Sequence, residues 1–270
     1  MDVARCTANG QNYSAHQFEQ LDDATLERYR RLLICPQCEA TAFFRKESRS
    51  GQAACFGARP HRNGCALAAV ETIYRGAPGD DQEERINIGD RIEIDFDFGA
   101  QDVVRPQPDA PVEPGGVGGR YVGGPGTRIA VRRRRLSTIL RNLMLSDQFV
   151  NSDQLIALPE GEFRIRDFFV RFTDANAELL GQYRGYWGML SDARDGQGAL
   201  WLNSSGGRAG VSIAVDDAIL HDFRNRFRVP DNEDLAGAYV LVFGHLHRSQ
   251  YGKMYVACND MRFITVNLAD

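Results

Sequence analysis

The stretch from Val240 to Val256, VLVFGHLHRSQYGKMYV, decides how the C-terminal half of the chain folds. An apolar run is followed by a polar turn containing a Gly-Lys pair, and then by a second apolar run. Two such runs joined by a short polar turn predict a β-hairpin. Gly244 interrupts the first run, where we expect it to relieve crowding at a bend of the strand. His245 and His247 would then lie along the exposed end of that strand.

The sequence between Gly181 and this hairpin predicts three further strands and a helix. QYRGYWGMLSDA is a long strand whose internal glycines suit a bulge or a sharp bend. GALWLNSS and AGVSIAV form a pair of strands across an SSGGR turn. DDAILHDFRNRF opens with two acids and continues with helically spaced apolar residues, which predicts a capped amphipathic helix.

The predicted order over residues 181–268 is strand, strand, strand, helix, strand, strand. This succession resembles the OB-fold, a five-stranded Greek-key barrel that binds nucleic acids in many proteins. The resemblance implies a C-terminal five-stranded OB-type barrel with one helix, and with it an α+β, mainly β fold class for the chain. It also implies nucleic acid as the partner, and we expect single-stranded DNA.

The Gly-His-x-His segment at Gly244–His247 also resembles the last metal-binding motif of calcineurin-like metallophosphoesterases. A dinuclear centre of that kind needs carboxylates as well as imidazoles. Only GDRIEID, from Gly89 to Asp95, suggests a second motif of that family, and the chain has five histidines in all. We therefore predict that the protein is not an enzyme and assign no catalytic residue. A metallophosphoesterase is kept as the third hypothesis.

Five of the six cysteines lie near the N-terminus, four of them between Cys35 and Cys65. Cys35 and Cys38 form a Cys-x-x-Cys pair, which lets two thiolates from one turn bind a single tetrahedral Zn²⁺. His61 and Cys65 supply a second pair, although Cys55 could replace His61. We predict one structural Zn²⁺ on Cys35, Cys38, His61 and Cys65. The combination resembles treble-clef and zinc-ribbon zinc fingers, including those on some bacterial DNA-processing proteins.

Charge and composition divide the chain into three blocks. Residues 1–75 form the zinc-binding module with an N-terminal helix in LDDATLERYRRLLI. Residues 76–127 form an acidic and Pro/Gly-rich segment with one strand, RIEIDFDF, and residues 76–119 of it hold eleven acids against three arginines. Residues 128–270 contain a helical lead-in, LSTILRNLMLSD, and the barrel. An RRRR run at Arg132–Arg135 reads as a solvated patch or a contact to a nucleic-acid backbone.

The overall composition is that of an ordinary globular protein of 270 residues, with 43% hydrophobic and 25% charged residues. The net charge of −4 does not by itself indicate a nucleic-acid-binding protein. No apolar run approaches the roughly 20 residues that cross a bilayer, and the start lacks the layout of a secretory signal. We therefore predict a cytoplasmic protein with no membrane partner.

A surface that binds single strands combines cations with flat side chains on which bases stack. We expect stacking on Trp187 and Trp201, and phosphate contacts from Arg184, Arg248 and Lys253. Tyr255 completes the predicted nucleic-acid surface. Alternation along a strand puts Tyr186 and Trp187 on opposite faces, so that one of the two is inside the barrel.

The sequence therefore predicts a single-stranded DNA-binding protein. The competing hypothesis is a protein-interaction module, an OB scaffold whose partners are other DNA-processing proteins. The two differ in salt dependence, because phosphate binding weakens linearly in the logarithm of salt concentration.

Overall fold

In the computed structural model, the described residues are 1, 3–47, 53–68, 91–94, 96, 132–207 and 209–268. Most of the predicted acidic and Pro/Gly-rich segment, residues 76–127, lies outside this range. Of the strand predicted in RIEIDFDF, Ile92–Ile94 is observed as a strand. None of the helices in the described ranges is long and apolar enough to span a membrane.

The N-terminal module, residues 3–68, is built on a five-stranded antiparallel sheet of order β2-β1-β3-β4-β5. The helix expected in LDDATLERYRRLLI is the second of the module, and Asp22 caps it by accepting a hydrogen bond of 3.0 Å from the backbone N–H of Thr25. The rings of Phe18, Phe44 and Phe56 pack with centroids 4.9 to 5.4 Å apart, so the module has an apolar core of its own. Its elements are β1 (Val3–Cys6), β2 (Asn12–Ser14), α1 (Ala15–Glu19), α2 (Asp23–Tyr29), β3 (Leu33–Ile34), β4 (Thr41–Arg45) and β5 (Cys55–Ala58).

A four-stranded sheet of order β7-β6-β8-β9 follows the N-terminal module. The arginine run expected as a solvated patch forms one of its strands, and Arg134 is only 7% exposed. The helix expected in LSTILRNLMLSD is observed, with Ile139, Leu140 and Leu143 buried. The elements are β6 (Ile92–Ile94), β7 (Arg132–Arg134), α3 (Leu136–Leu145), α4 (Asp147–Val150), β8 (Leu155–Leu158), β9 (Gly161–Arg164), α5 (Ile165–Phe168) and β10 (Phe169–Arg171).

The C-terminal region contains a closed five-stranded barrel, as the sequence predicted. The strands follow the order β11-β12-β13-β15-β14, and β14 pairs with β11 to close the ring. Only β13 and β15 are parallel, which requires the crossover that α6 provides. The elements are β11 (Tyr183–Gly196), β12 (Ala199–Ser204), β13 (Val211–Asp216), α6 (Asp217–Phe227), β14 (Tyr239–Arg248), β15 (Met254–Cys258) and β16 (Ile264–Asn267). The last strand, β16, pairs with the first half of β14.

Alternation along β11 separates two apolar cores. Tyr186 and Leu190 point into the barrel, where they join its interior cluster. Trp187 and Met189 belong to a second cluster that lies outside the barrel, against α3 and the four-stranded sheet. A Cβ at Gly244 of β14 would come within 2.7 Å of Cγ1 of Val256, so a larger residue there would force this side chain to shift.

Two consecutive arginines hold the N-terminal module against the barrel. Arg30 donates two hydrogen bonds, of 3.1 and 2.9 Å, to the carboxylate of Glu233. Arg31 donates two more, of 2.6 and 2.8 Å, to Asp192 on the outside of β11. Asp192 also accepts a hydrogen bond of 2.7 Å from Asn203, and its side chain is only 4% exposed. The contact is therefore a buried ion pair whose hydrogen bonds are satisfied, which is the condition under which such pairs are tolerated.

An apolar contact adds to these ion pairs. Phe43 of β4 belongs to the second core cluster together with residues of β11 and β14. Its ring lies over Gly237, where a Cβ would be 2.3 Å from the ring. Gly237 has a φ of +82°, a left-handed conformation that glycine adopts without strain. The loop before β14 is thus shaped to accept a side chain from the N-terminal module.

Removing the Asp192 carboxylate is expected to destabilise the protein far more than removing an exposed ion pair from the same strand. Asp192→Ala leaves the Arg31 guanidinium and the Asn203 amide without their acceptor, and should lower the free energy of unfolding by about 3 kcal/mol in urea denaturation. Arg194→Ala breaks a pair with Glu27 whose side chains are 56% and 39% exposed, and should cost less than about 1 kcal/mol. Equal losses in the two variants would contradict the docking role of Asp192.

Candidate metal centre and the outer face of the barrel

The first pair of candidate ligands lies at the tip of the β3–β4 hairpin. Leu33 pairs with Ala42 and Ile34 with Thr41, so the chain must reverse within the Cys-x-x-Cys segment. The backbone N–H of Cys35 donates to the carbonyl of Ala40 at 2.8 Å, which closes the turn. This reversal brings the thiols of Cys35 and Cys38 to the same end of the hairpin.

The second pair of candidate ligands follows β5. A turn between Arg62 and Cys65, closed by a backbone hydrogen bond of 3.2 Å, brings His61 and Cys65 toward the hairpin tip. The Sγ atoms of Cys35 and Cys65 are 3.8 Å apart, and Sγ of Cys38 is 3.4 Å from Nδ1 of His61. The four ligand atoms all lie within 4.8 Å of one another. These residues could hold a metal ion, as their spacing predicted.

The other cysteines are placed differently. All six cysteines are free thiols. Cys55 lies in β5 and is not a member of the four-residue group found among the described residues. Cys6 and Cys258 are buried in the cores of the N-terminal module and the barrel. The geometry therefore brings His61, and not Cys55, to the other three ligands.

The titration of the thiols reflects their crowding. Desolvation opposes ionisation of Cys38, but hydrogen bonds from the backbone of Arg62 and Ala40 and from His61 outweigh it and lower its pKa to about 6. Desolvation and the neighbouring thiols of Cys38 and Cys35 raise the pKa of Cys65. Since like charges at this distance disfavour one another, a bound cation would stabilise the fully ionised set. Four protein ligands around a tetrahedral ion leave no open position, which is typical of a structural site.

The candidate nucleic-acid residues on β12 and β15 share the outer face of the barrel. Trp201 and Tyr255 are half-buried there, with ring centroids 5.7 Å apart. Tyr255 pairs with His247 of β14, and these two rings are 5.4 Å apart with an interplanar angle of 34°. We call Trp201, Tyr255 and His247 the ring row. The sequence analysis assigned Trp201 and Tyr255 to the binding surface but not His247. The signal for His247 was its position two residues after His245, which puts both side chains on the same face of the strand.

Trp187 lies away from the ring row. It is only 4% exposed and belongs to the second core cluster. The guanidinium of Arg171 lies 5.2 Å from its ring centroid, and the ring of Tyr239 lies 6.5 Å away. A base therefore has no exposed face of Trp187 on which to stack, because a second layer of the protein covers the outer side of β11 at this point.

The three cations assigned to phosphate contacts have different surroundings. Arg248 is exposed at the end of β14. Arg184 is half-buried and donates to the carbonyl of Tyr183 at 2.9 Å and to Gln182 at 2.8 Å. The ammonium of Lys253 donates to the carbonyl of Gly207, and desolvation lowers its pKa to about 8, with the Arg31 charge acting in the same direction. Of the three, Arg248 is the most accessible.

Tyr251 is a further accessible side chain that the site prediction left out. It is 82% exposed in the loop between β14 and β15, next to Arg248 and Lys253. Its position between two turn residues in SQYGK was the available signal, since an aromatic side chain at the tip of a short hairpin turn has little to pack against.

The phosphoesterase hypothesis required carboxylates near His245 and His247. Both histidines are exposed, and His245 packs against the ring of Tyr183 at 5.3 Å. In the described ranges, the only group of three or more potential metal ligands that lie together is the Cys/His cluster of the N-terminal module. Gly89 and Asp95, which bound the GDRIEID segment, lie outside the described residues.

No protein-family model matches the chain, and no curated protein matches it. Among solved structures, the chain is similar to a protein assigned as an aspartyl-tRNA synthetase from Leishmania major Friedlin, with 9% sequence identity and a TM-score of 0.27. The similarity covers 38% of this chain and 21% of that chain, so it spans about a fifth of that protein's length. A similarity at this TM-score carries no argument about fold or function.

Metal content should distinguish the four clustered residues from the remaining thiols. We expect purified protein to hold about one metal ion per chain, since one four-ligand set is present. Cys38→Ser should abolish stoichiometric metal, while Cys55→Ser should retain it, because Cys55 lies outside the cluster. Elemental analysis of both variants after purification without chelators makes the comparison. Metal lost from Cys55→Ser and kept by Cys38→Ser would show that the ligand set is wrong.

Proposed function

We propose that this protein binds single-stranded nucleic acid, with single-stranded DNA as the expected ligand, on the outer face of its C-terminal barrel. The observation that carries the proposal is the ring row. Trp201, Tyr255 and His247 come from three different strands, with centroid separations of 5.7 and 5.4 Å; the rings of Trp201 and Tyr255 meet edge to face, and those of Tyr255 and His247 are tilted by 34°. An open strand offers its bases to such a surface, whereas a duplex keeps them stacked on one another.

The connectivity of the barrel supports this assignment. Its strands close in the order first, second, third, fifth, fourth, with α6 between the third and the fourth. We infer that this is an OB-type barrel. In OB-folds, the face of the second and third strands and the loop between the fourth and fifth bind oligonucleotides. Here those elements are β12, β13 and the loop of residues 249–253, which carries Tyr251.

The N-terminal module leaves part of that face accessible. On β12 and β13, Asn203 and Ser212 are buried and hydrogen-bonded to one another at 2.7 Å, on the side where Arg31 reaches Asp192. Two positions before Asn203 on β12, Trp201 is half-buried and pairs with Ala214 of β13, which is also partly accessible. The accessible half of the β12–β13 face is therefore the half that carries Trp201.

Two cations close in sequence to the ring row would neutralise the phosphates. Arg248 directly follows His247 on β14 and is exposed. Lys253 lies directly before β15, and with a pKa near 8 it remains mostly protonated at neutral pH. Because its ammonium already donates to Gly207, we assign the larger share of the phosphate binding to Arg248. Trp187 and Arg184 are left out of the proposed surface because of their buried and paired positions.

We infer that the ion of the Cys/His cluster is Zn²⁺. Three thiolates and one imidazole are the ligands that structural zinc prefers. A tetrahedron with Zn–S bonds of about 2.3 Å has edges of about 3.8 Å, and the Sγ atoms of Cys35 and Cys65 are 3.8 Å apart. The elemental analysis that compares Cys38→Ser with Cys55→Ser also identifies the metal. The bound Zn²⁺ would fix the β3–β4 hairpin to the segment after β5.

Replacing a ring of the row should weaken binding to single strands. Trp201→Ala and Tyr255→Ala remove stacking surfaces worth about 1–3 kcal/mol per base, so each should raise Kd for a short single-stranded DNA by about fivefold or more in a polarisation assay. Trp201→Phe keeps a flat ring and should retain most of the affinity. Trp187→Phe is the matched control in the core and should leave Kd unchanged if circular dichroism shows an intact fold.

Two results would contradict the ring row as the binding surface. One is a wild-type protein that binds neither single-stranded DNA nor single-stranded RNA at low salt, which would favour the protein-interaction hypothesis. The other is binding that is lost in Trp187→Phe and kept in Trp201→Ala.

The dependence of Kd on salt concentration should distinguish the contribution of Arg248 from that of the ring row. Affinity for single strands falls with salt with a slope of about 0.7 logarithmic units per neutralised phosphate. Arg248→Ala should reduce that slope by about 0.7, the value for one phosphate contact, and should weaken binding to all DNA sequences alike. Trp201→Ala should lower the affinity without changing the slope. Kd measured at four or more salt concentrations gives both slopes. An unchanged slope in Arg248→Ala would remove this residue from the interface.

A further inference from the structure

A cavity of about 690 Å³ lies between the N-terminal module, the end of α3 and the barrel. None of the ring-row residues lines it, and its walls come from β4, the segment after β5, β10, β11 and the loop between β12 and β13. A volume of this size falls in the range of small-molecule sites, which are often found where domains meet.

The floor of the cavity is aromatic and apolar. Trp187, Met189 and Tyr239 line it, and each is less than a tenth exposed. On the open side, Leu145 of α3 is 56% exposed, although it is an apolar side chain. The cavity therefore offers a hydrophobic surface to the body of a ligand.

Cationic side chains also line the cavity. Arg59, Arg62 and Arg171 line it, and Asp147 is the acidic residue among the lining residues. Arg171 is stacked on Trp187 at 5.2 Å and pairs with Asp147 at 3.4 Å, with 44% of its side chain still exposed. A guanidinium held against a ring is pre-organised to bind a phosphate through two hydrogen bonds. Arg62, which comes from the segment after β5, is also exposed.

Two further features suit a bound ligand. The indole N–H of Trp187 is buried and has no acceptor among the described residues, and a buried donor left unpaired costs roughly 1–3 kcal/mol. The described residues that line the cavity at the end of β12 and in the loop after it are all small: Ser204, Ser205, Gly206, Ala209 and Gly210.

We propose that this cavity is a second binding site, for a mononucleotide or a closely similar aromatic phosphate. The ring of the ligand packs beside Met189 and Tyr239, where an acceptor on it pairs with the indole N–H of Trp187, and its phosphate binds Arg62 and Arg171. The site uses none of the ring-row residues, so it does not depend on nucleic-acid binding at the outer face of the barrel.

The chain offers an internal probe for this site. It has two tryptophans, so Trp201→Phe leaves Trp187 as the single fluorescent indole. Titration of this variant with adenosine monophosphate, excited at the red edge of the indole band, should give a saturable change in emission. Calorimetry on the wild-type chain supplies an independent Kd. Adenosine alone and inorganic phosphate alone should each bind at least about tenfold more weakly, because each satisfies one half of the site.

Arginine variants test the placement of the phosphate. Arg62→Ala and Arg171→Ala should each raise Kd for adenosine monophosphate by about tenfold, which is the effect of losing one charge-assisted contact. Arg62 is exposed, so its replacement is expected to leave the fold intact, as checked by thermal denaturation. Arg248→Ala, on the outer face of the barrel, is the matched control and should leave this Kd unchanged while it alters the binding of single strands.

Three results would overturn the proposal. The first is the absence of saturable binding of adenosine monophosphate up to about 10 mM, a concentration at which a Kd of 1 mM would be evident. The second is a Kd for inorganic phosphate or adenosine equal to that of the nucleotide. The third is an unchanged Kd in both Arg62→Ala and Arg171→Ala.

Discussion

The geometry of the protein depends on one strand, β11, which changes its pairing partner halfway along its length. From Tyr183 to Met189 it pairs with β14, and from Leu190 to Gly196 it pairs with β12. The register shifts between Leu190 and Asp192. These two pairings close the five strands into a ring, because a barrel requires each strand to bond to a neighbour on both sides.

The same irregularity also fixes where the N-terminal module lies. At the shift, Asp192 is turned to the outside of the barrel, where it accepts hydrogen bonds from both Arg31 and Asn203. The module therefore covers the part of the β12–β13 face nearest to Asp192 and leaves the ring row accessible. The cavity opens where the module, α3 and the β12–β13 loop meet. Both candidate binding surfaces are consequences of how these parts are docked together.

Local sequence patterns were sufficient for the barrel strands, for α2, α3 and α6, and for the candidate metal cluster, but not for the strands of the N-terminal sheet. Alternating apolar residues predicted the barrel strands, and the spacing of Cys35, Cys38, His61 and Cys65 predicted their assembly, because both signals arise within short segments. The burial of Trp187 could not be read in this way. Alternation gives the face on which a side chain lies, but the layer that covers that face is formed by elements distant in the sequence. The pair of Arg31 and Asp192 is likewise separated by 161 residues.

The central claim is that single strands lie across the ring row, and photochemical crosslinking tests it most directly. A short single-stranded DNA carrying a photoreactive base would be irradiated in complex with the full chain, and the attached peptides identified by mass spectrometry. The account predicts attachment at Trp201, Tyr255 or His247, with Tyr251 of the adjacent loop as the next site. Attachment confined to the four-stranded sheet or to the N-terminal module, with none on β12, β14 or β15, would contradict it.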